Sequence, residues 1–386
     1  MPGVSFGDNG GMTSASHSSA AAEPFEGLRI RGVAKTFGAD TTVLNEIDLD
    51  VHPGELISLV GSSGTGKSTL LRIIAGLEEP SAGRVTYAGQ PLERGSVGVV
   101  FQRPILYPHL SVKDNILFPT RLGAFAGRVD MDYYRELLEA LKLEGLESRK
   151  PSQLSGGQAQ RVGIARALIR RAPVVLFDEP LASVDEEMSA SIRADIVRLH
   201  ERYGFTGLYV THDQNEALML GQRVAVMDAG YLVQVDTPER LLAHPHTLQV
   251  AKLMAAPALN LVALEDSAVL PAGCQLAIRA TALCPVAAEA AHSLPVQVLG
   301  SRHLVGGMLY RARLLEAVSL PLESGRASAD SELSARMYAR VRASQELEFF
   351  IPDAQGGASL SVGDRVHLGV AAERCFLFSK GKRFYL

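Results

Sequence analysis

From Leu28 to about Ala255 the chain alternates between short unbroken apolar runs and longer stretches with apolar residues at three- and four-residue intervals. Glu55–Val60, Val97–Phe101, Val174–Phe177 and Leu208–Thr211 are runs of the first kind. They read as strands buried on both faces, as in a parallel sheet. Helical spacing follows in Thr69–Gly76, in Tyr133–Leu143, and in the set Val162, Ala165, Leu168 and Ile169. Nearer the start, Val33–Gly38 and Leu44–Val51 alternate apolar and polar residues, and Arg84–Tyr87 adds another short strand. Val224–Met227 and Tyr231–Val235 flank Asp228-Ala-Gly230, which predicts a hairpin. Strands alternating with helices predict an α/β domain over residues 27–255.

Past Ala255-Ala-Pro257 the pattern changes. Short alternating runs recur at Gln275–Arg279, Pro295–Leu299, Met308–Leu314, Arg365–Val370 and Arg374–Phe378, separated by Gly, Pro and Ser turns. This predicts a second, β-rich and barrel-like domain over residues 256–386. Residues 1–26, rich in Gly, Ser and Ala and without periodicity, read as a disordered tail, and Met12 is a second candidate start.

Composition narrows the class. A chain of 386 residues with 47% hydrophobic and 21% charged residues is ordinary for a soluble globular protein of two or three domains. A net charge of −4 leaves no electrostatic footprint for nucleic acid. No apolar run approaches the length needed to cross a bilayer, so any membrane role runs through a partner. Cys274, Cys284 and Cys375 are widely spaced and odd in number, which argues against a zinc site or a disulfide framework. They point to a reducing cytoplasm and to buried, inert thiols.

Between the Glu55–Val60 strand and the following helix lies Gly61-Ser-Ser-Gly-Thr-Gly66-Lys67-Ser68, a G-x-x-x-x-G-K-[ST] phosphate loop in its required strand–loop–helix setting. Its glycines let backbone N–H groups surround a polyphosphate at a helix N-terminus. Gly61, Ser62, Ser63, Gly64, Thr65, Gly66, Lys67, Ser68 and Thr69 are therefore candidate nucleoside triphosphate contacts, with Ser68 also a candidate Mg²⁺ ligand. Asp178 ends the Val174–Phe177 strand as a second metal ligand, and Glu179 beside it is placed to polarise water. Gln102 (metal or water) and His212 (γ-phosphate) end two further strands, and ligands of such sheets sit at the carboxyl edge. The span from Lys67 to Asp178 is too long for one crossover and implies an inserted helical subdomain at about 103–166. Leu154-Ser155-Gly156-Gly157-Gln158 opens another helix and offers a second anion cradle. Phe37, upstream of the loop, is a candidate platform for a nucleobase.

In this order the motifs closely resemble an ATP-binding cassette (ABC) subunit. They are the phosphate loop 61–68, Gln102, Leu154–Gln158 followed by Ala-Gln-Arg161, Val174–Glu179, Ala182-Ser-Val-Asp185 and His212. The resemblance covers roughly residues 28–255. It implies an ATPase using ATP and Mg²⁺, with Phe37 stacking on adenine. It also implies a head-to-tail homodimer in which Ser155, Gly156, Gly157, Gln158 and Asp185 complete the partner's site. Phe101–Leu110, Asp114–Pro119, Thr211–Ala217, Asp236–Glu239 and Ala256–Asn260 are similar to the carbohydrate-uptake class of bacterial importers. That likeness implies two permease subunits, an external solute-binding protein, a peripheral place at the cytoplasmic face of the inner membrane, and a regulatory C-terminal barrel. Ser183-Val-Asp185-Glu-Glu-Met, Arg279-Ala-Thr281 and an insertion near 315–340 depart from the pattern. Sugar, glycerol-phosphate, polyamine, iron and sulfate importers share much of it. A DNA-repair or translation ATPase of the same family is the rival, and no sustained heptad run or second phosphate loop supports it. The loop Arg103–Leu110 predicts a permease contact through Leu106, Tyr107 and Leu110.

Overall fold

In a computed structural model the described residues are 25–38, 40–122, 129–265, 270, 273–290, 292–322, 337–353, 360–371 and 375–383. The proposed tail up to residue 24, Met12, Arg374 and most of the insertion near 315–340 lie outside them.

The chain opens with two long antiparallel strands, β1 (Leu28–Phe37) and β2 (Thr41–Val51), followed by β3 (Leu56–Val60), whose residues are all buried. Helix α1 (Lys67–Ile74) leaves the loop after β3 and buries Leu70, Leu71, Ile73 and Ile74. Strands β4 (Ala82–Tyr87) and β5 (Gln90–Pro91) join β1 and β2 in one four-stranded sheet, in the order β2-β1-β4-β5. After β6 (Gly98–Val100) come the helices α2 (Val112–Leu117), α3 (Met131–Ala140) and α4 (Gly156–Leu168). These helices lie between β6 and the next strand of the sheet. Then follow β7 (Val174–Asp178), α5 (Glu186–Tyr203), β8 (Thr206–Thr211), α6 (Gln214–Leu220), β9 (Arg223–Asp228) and β10 (Tyr231–Asp236).

The central sheet has the order β10-β9-β3-β8-β7-β6, and from β9 to β6 all neighbours are parallel. Apolar side chains cover both faces. One face, with Val175, Phe177 and Tyr209, packs on α4, α5 and the inserted helices, and the other, with Ile57, Leu59, Leu176 and Leu208, packs on α1 and the β1–β2 sheet. That two-sided burial explains the unbroken apolar runs. Ala229 and Gly230 both take positive φ, which is what a tight hairpin between β9 and β10 needs.

Helices α7 (Pro238–Ala243) and α8 (Leu248–Leu253) lead to a region of strands: β11 (Leu259–Ala263), β12 (Gln275–Arg279), β13 (Leu283–Val286), β14 (Leu294–Leu304), β15 (Gly307–Leu314), β16 (Val318–Leu322), β17 (Met337–Val341), β18 (Glu346–Pro352), β19 (Arg365–Val370), β20 (Cys375–Ser379) and β21 (Lys382–Arg383). They form sheets in the orders β11-β12-β20-β21 and β13-β19-β14-β15-β18, plus the β16–β17 pair. Their inward residues share one apolar core that includes Leu276, Val296, Tyr310, Phe349 and Leu368. Asn260, buried on β11, bonds the Ile278 carbonyl and both backbone groups of Glu348, stitching the sheets together. The expectation of three buried thiols needs correction. Only Cys274 is buried; alternation along β13 turns Leu283 inward and leaves Cys284 exposed, while Cys375 is half-buried.

Candidate functional site

Register sets the site. Val100 pairs with Phe177, Asp178 with Val210, and Val60 with Thr211, so four neighbouring strands end at one edge. Their continuations are Gln102, Asp178-Glu179, His212 and the loop from Gly61, in that order across the sheet. This is the carboxyl edge, where α/β sheets bind their ligands.

The loop after β3 needs its glycines for two separate reasons. A Cβ on Gly61 would lie 2.4 Å from the Met227 carbonyl oxygen and 2.8 Å from Thr65 Oγ1. Gly66 has a φ of 97°, and a Cβ there would meet Leu44 at 2.7 Å. Ser62, Ser63 and Gly64 are exposed, Thr65 is buried and Thr69 is half-buried. The Lys67 ammonium is buried and donates to the carbonyls of Gly61 at 2.7 Å and Ser62 at 3.0 Å. Burial holds its pKa below the ordinary lysine value, with the charges of Glu179 and Asp178 opposing. A buried cation folded back onto its own glycine-rich loop, at the start of a helix, suits a polyphosphate.

Ser68 Oγ donates to Asp178 Oδ1 at 3.2 Å, joining the first residues of α1 to the end of β7. Burial pushes the Asp178 carboxyl above its usual range and the neighbouring Glu179 charge adds to that, while the Ser68 hydroxyl, Arg72 and Lys67 oppose it. A half-buried hydroxyl and carboxylate side by side form an oxygen donor set suited to a hard divalent cation bound partly by phosphate. Glu179 takes a φ of 45°, rare for a residue with a Cβ and costing about 1–3 kcal/mol. Its N–H donates to the Val210 carbonyl at 2.9 Å, and its Oε2 meets His212 Nδ1 at 3.0 Å. The strained turn thus aims the carboxylate across to the end of β8. Gln102 lies just beyond β6 and is exposed.

The second cradle is built at the start of α4. Ser155 Oγ accepts from the Gln158 N–H at 3.2 Å, while Gln158 Oε1 accepts from the Ser155 N–H at 3.0 Å, a capping box. The Gln158 amide oxygen is therefore committed to its own helix, which the sequence pattern did not reveal. Ser155 and Gly156 are exposed, whereas a Cβ on Gly157 would press on Met188 at 2.6 Å. Asp185 caps α5 by accepting from the Met188 N–H at 2.9 Å. Among the described residues, the Ser155, Gln158 and Asp185 side chains bond within the α4 and α5 caps and not to the phosphate loop. Phe37 ends β1 with its ring exposed and the Lys35 ammonium 4.9 Å from the ring centroid.

Sequence reasoning missed several residues. Asn115 is fully buried and pins the loop after β6: Oδ1 accepts from the Tyr107 N–H at 2.8 Å, and Nδ2 donates to the carbonyls of Tyr107, Leu110 and Ser111. In that loop Ile105 and Tyr107 are exposed, while Leu106 and Leu110, which were expected with Tyr107 to contact a permease, are half-buried. Arg166 donates to the Ile105 carbonyl at 2.6 Å. Glu216 was also missed. Asp213-Gln-Asn-Glu216 has the spacing of a capping box, yet the Glu216 carboxylate turns instead to the hydroxyls of Tyr209 and Thr211.

The chain matches the ABC transporter family over residues 44–182. A sn-glycerol-3-phosphate import ATP-binding protein of Rhizobium johnstonii is 45% identical over 241 residues, which is 61% of this chain and 65% of the relative. Proteins of the same description from Yersinia enterocolitica and Yersinia pestis are 44% and 42% identical, with 67% and 70% of their lengths covered. Among solved structures, cbiO1 from Clostridium perfringens, part of the ABC transporter complex cbiONQ, superposes with a TM-score of 0.51. It is 27% identical, over 57% of this chain and 92% of that one. With its phosphate loop, Asp178-Glu179 and His212 along one sheet edge and these relatives beside it, the chain belongs to the ATP-binding cassette (ABC) transporter family.

Proposed function

We propose that the chain binds and hydrolyses Mg-ATP to drive uptake of a small solute through partner permeases. The observation that carries this is the alignment of Lys67, Ser68–Asp178 and Glu179–His212 at one carboxyl edge. Lys67 and the N–H groups of Gly61–Thr69 hold the triphosphate, and Phe37 stacks on adenine. Ser68, Asp178 and Gln102 hold Mg²⁺, which supplies charge neutralisation on the phosphate oxygens. Glu179 orients and polarises the attacking water, and His212 steadies that carboxylate and reaches the γ-phosphate.

The site is completed by a second copy, whose exposed Ser155 and Gly156, with Gly157, Gln158 and Asp185, close over the γ-phosphate from the opposite side. Residues 27–255 form the ATPase domain and 256–386 a regulatory barrel of the OB type; an apolar core to which both of its larger sheets contribute supports the barrel reading. No helix among the described residues is long and apolar enough to cross a membrane. The proposed place of the subunit is the cytoplasmic face of the inner membrane, held there by two permeases that receive solute from an external binding protein, a reading supported by the relatives' descriptions as import ATP-binding proteins. The relatives' descriptions favour a glycerol-phosphate or sugar-like solute. The test is reconstitution with candidate permease subunits from the same cell. ATP-dependent uptake of labelled sn-glycerol-3-phosphate or a sugar supports the reading, and co-purification with ribosomes or DNA in place of permeases overturns it.

A further inference from the structure

His212 is held on both sides in the chain by one buried hydroxyl. Thr211 Oγ1 donates to Glu216 Oε2 at 2.8 Å and accepts from the Asp213 N–H at 3.0 Å, so the residues either side of His212 are tied to a single point. Glu216 Oε2 also accepts from the Tyr209 hydroxyl at 3.1 Å, two residues back on β8. Tyr209 is fully buried, Thr211 is 2% exposed and Glu216 8%. The Glu216 carboxylate is thus clamped between alternate residues of the strand that delivers His212. Facing it from α5 is Arg193, 3.8 Å from Glu216 Oε1 and 3.1 Å from Glu186 Oε1. Glu186 follows the α5 cap, Asp185.

We propose that Glu216 is a positioning residue for His212, acting through the Thr211 hydroxyl to fix the imidazole against Glu179. This rests on the reading of Glu179 and His212 given above. A β-strand end with a free last residue would let the His212 ring sweep over several rotamers, and a contact of 3.0 Å would be lost for much of the time. Two hydroxyl donors on one oxygen remove that freedom at β8. The Asp213 side chain, accepting from the N–H groups of Asn215 and Glu216, removes it at the start of α6. Burial raises the Glu216 pKa and the Asp213 charge does likewise, while the Thr211 and Tyr209 hydroxyls and Arg193 act the other way. A carboxylate retained there against desolvation has a task that packing alone does not require.

The informative variant is Thr211→Val, which keeps shape and β-branching but removes the hydroxyl; Thr211→Ser restores it. Glu216→Ala is the direct companion, though it leaves two buried hydroxyls without an acceptor and risks misfolding. The purified full chain is labelled with ¹⁵N-histidine, and the ring signals are assigned by comparison with His212→Ala. Thr211→Val is expected to displace the His212 signals and to lower kcat about tenfold while KM for ATP stays within twofold, and Thr211→Ser to return both. Unmoved His212 signals in Thr211→Val would overturn the proposal. So would a fall in kcat accompanied by an equal loss of ATP affinity that serine does not rescue. Normal turnover in His212→Ala would instead count against the catalytic reading of His212, and the ring signals would still decide whether Glu216 positions it.

Discussion

The Arg161 guanidinium meets the Asp195 carboxylate at 2.8 Å where both side chains are almost wholly shut off from water. Arg161 lies on α4, the helix capped by Ser155, and Asp195 on α5, the helix capped by Asp185. Arg161 further donates to the Leu141 carbonyl at 3.1 Å and to Ser191 Oγ at 2.9 Å, while Arg198 and Lys142 reach Asp195 from the solvent side. The two helices whose starts are proposed to close the partner's site are therefore locked together through one buried pair.

Removing one half of that pair strands the other. Asp195→Ala is expected to lower unfolding stability by about 3–5 kcal/mol, because a buried guanidinium loses its counter-charge. Replacing both partners with apolar residues of similar volume is expected to cost much less. Urea unfolding of the three proteins checks this. A single variant as stable as the parent would mean that the pair contributes nothing to holding α4 on α5.

Glu179→Gln keeps the length and polarity of the side chain but removes the charge that faces His212 and the attacking water. ATP should bind as before while turnover falls about 10²–10³-fold. Equilibrium binding of a fluorescent ATP analogue, set beside steady-state hydrolysis, separates the two effects. Near-normal hydrolysis would move the water-polarising role to another residue.

Lys67→Ala and Gly66→Ala should both abolish tight ATP binding, for different reasons. The first removes a buried cation from the loop. The second puts a Cβ 2.7 Å from Leu44 at a φ of 97°, which a side chain rarely tolerates. Only Gly66→Ala should also lower the melting temperature appreciably, since Leu44 belongs to the core between the β1–β2 sheet and α1. Equal melting temperatures in the two variants would show that the loop, not Leu44, gives way.

A site divided between Lys67 of one copy and Ser155 of another predicts ATP-dependent pairing. Glu179→Gln with ATP should sediment as a dimer, and Glu179→Gln with Ser155→Arg as a monomer, because the larger cation cannot fit where an exposed cap is meant to meet phosphate. Sedimentation velocity reads this directly. A dimer that persists in the double variant would place the interface elsewhere.

The strands, and the edge that gathers the candidate site residues, were legible in the sequence because β3, β7 and β8 are buried on both faces and then give way to loop residues. An unbroken apolar run followed by Asp178-Glu179 or His212 leaves few other readings. What escaped was side-chain direction where no period operates. Nothing in Arg103–Leu110 says that Ile105 faces out while Leu106 turns in, since the loop's backbone is held from outside it, at Tyr107 by buried Asn115 and at Ile105 by Arg166. The Gln158 amide and the Glu216 carboxylate raise the same difficulty in opposite senses. Both sit at helix starts with capping-box spacing; Gln158 caps, but Glu216 is drawn away by two hydroxyls on β8. The positive φ of Glu179 was equally hidden, because glutamate carries no preference for that region.

The loop that Asn115 pins supplies the last prediction. Its backbone is fixed at Tyr107, Leu110 and Ser111 by that one amide, and at Ile105 by Arg166, so it is stiff although it lies at the surface. Ile105 is 63% exposed and Tyr107 39%, and the Tyr107 ring leans on Phe118 with centroids 4.4 Å apart. A rigid loop that begins near Gln102 and presents apolar side chains outward is suited to receive a short helix of the permease. Ile105→Asp with Tyr107→Ser should therefore leave ATP binding and folding of the isolated subunit unchanged while releasing it from permease-containing membranes or uncoupling hydrolysis from uptake. Asn115→Ala should have the same functional effect through a slackened loop, and should also destabilise the subunit by about 1–3 kcal/mol, because a fully buried residue with four hydrogen bonds is lost. Normal transport and normal membrane retention in the Ile105–Tyr107 double variant would show that the loop serves only to pack α2, and that the permease is engaged by another surface.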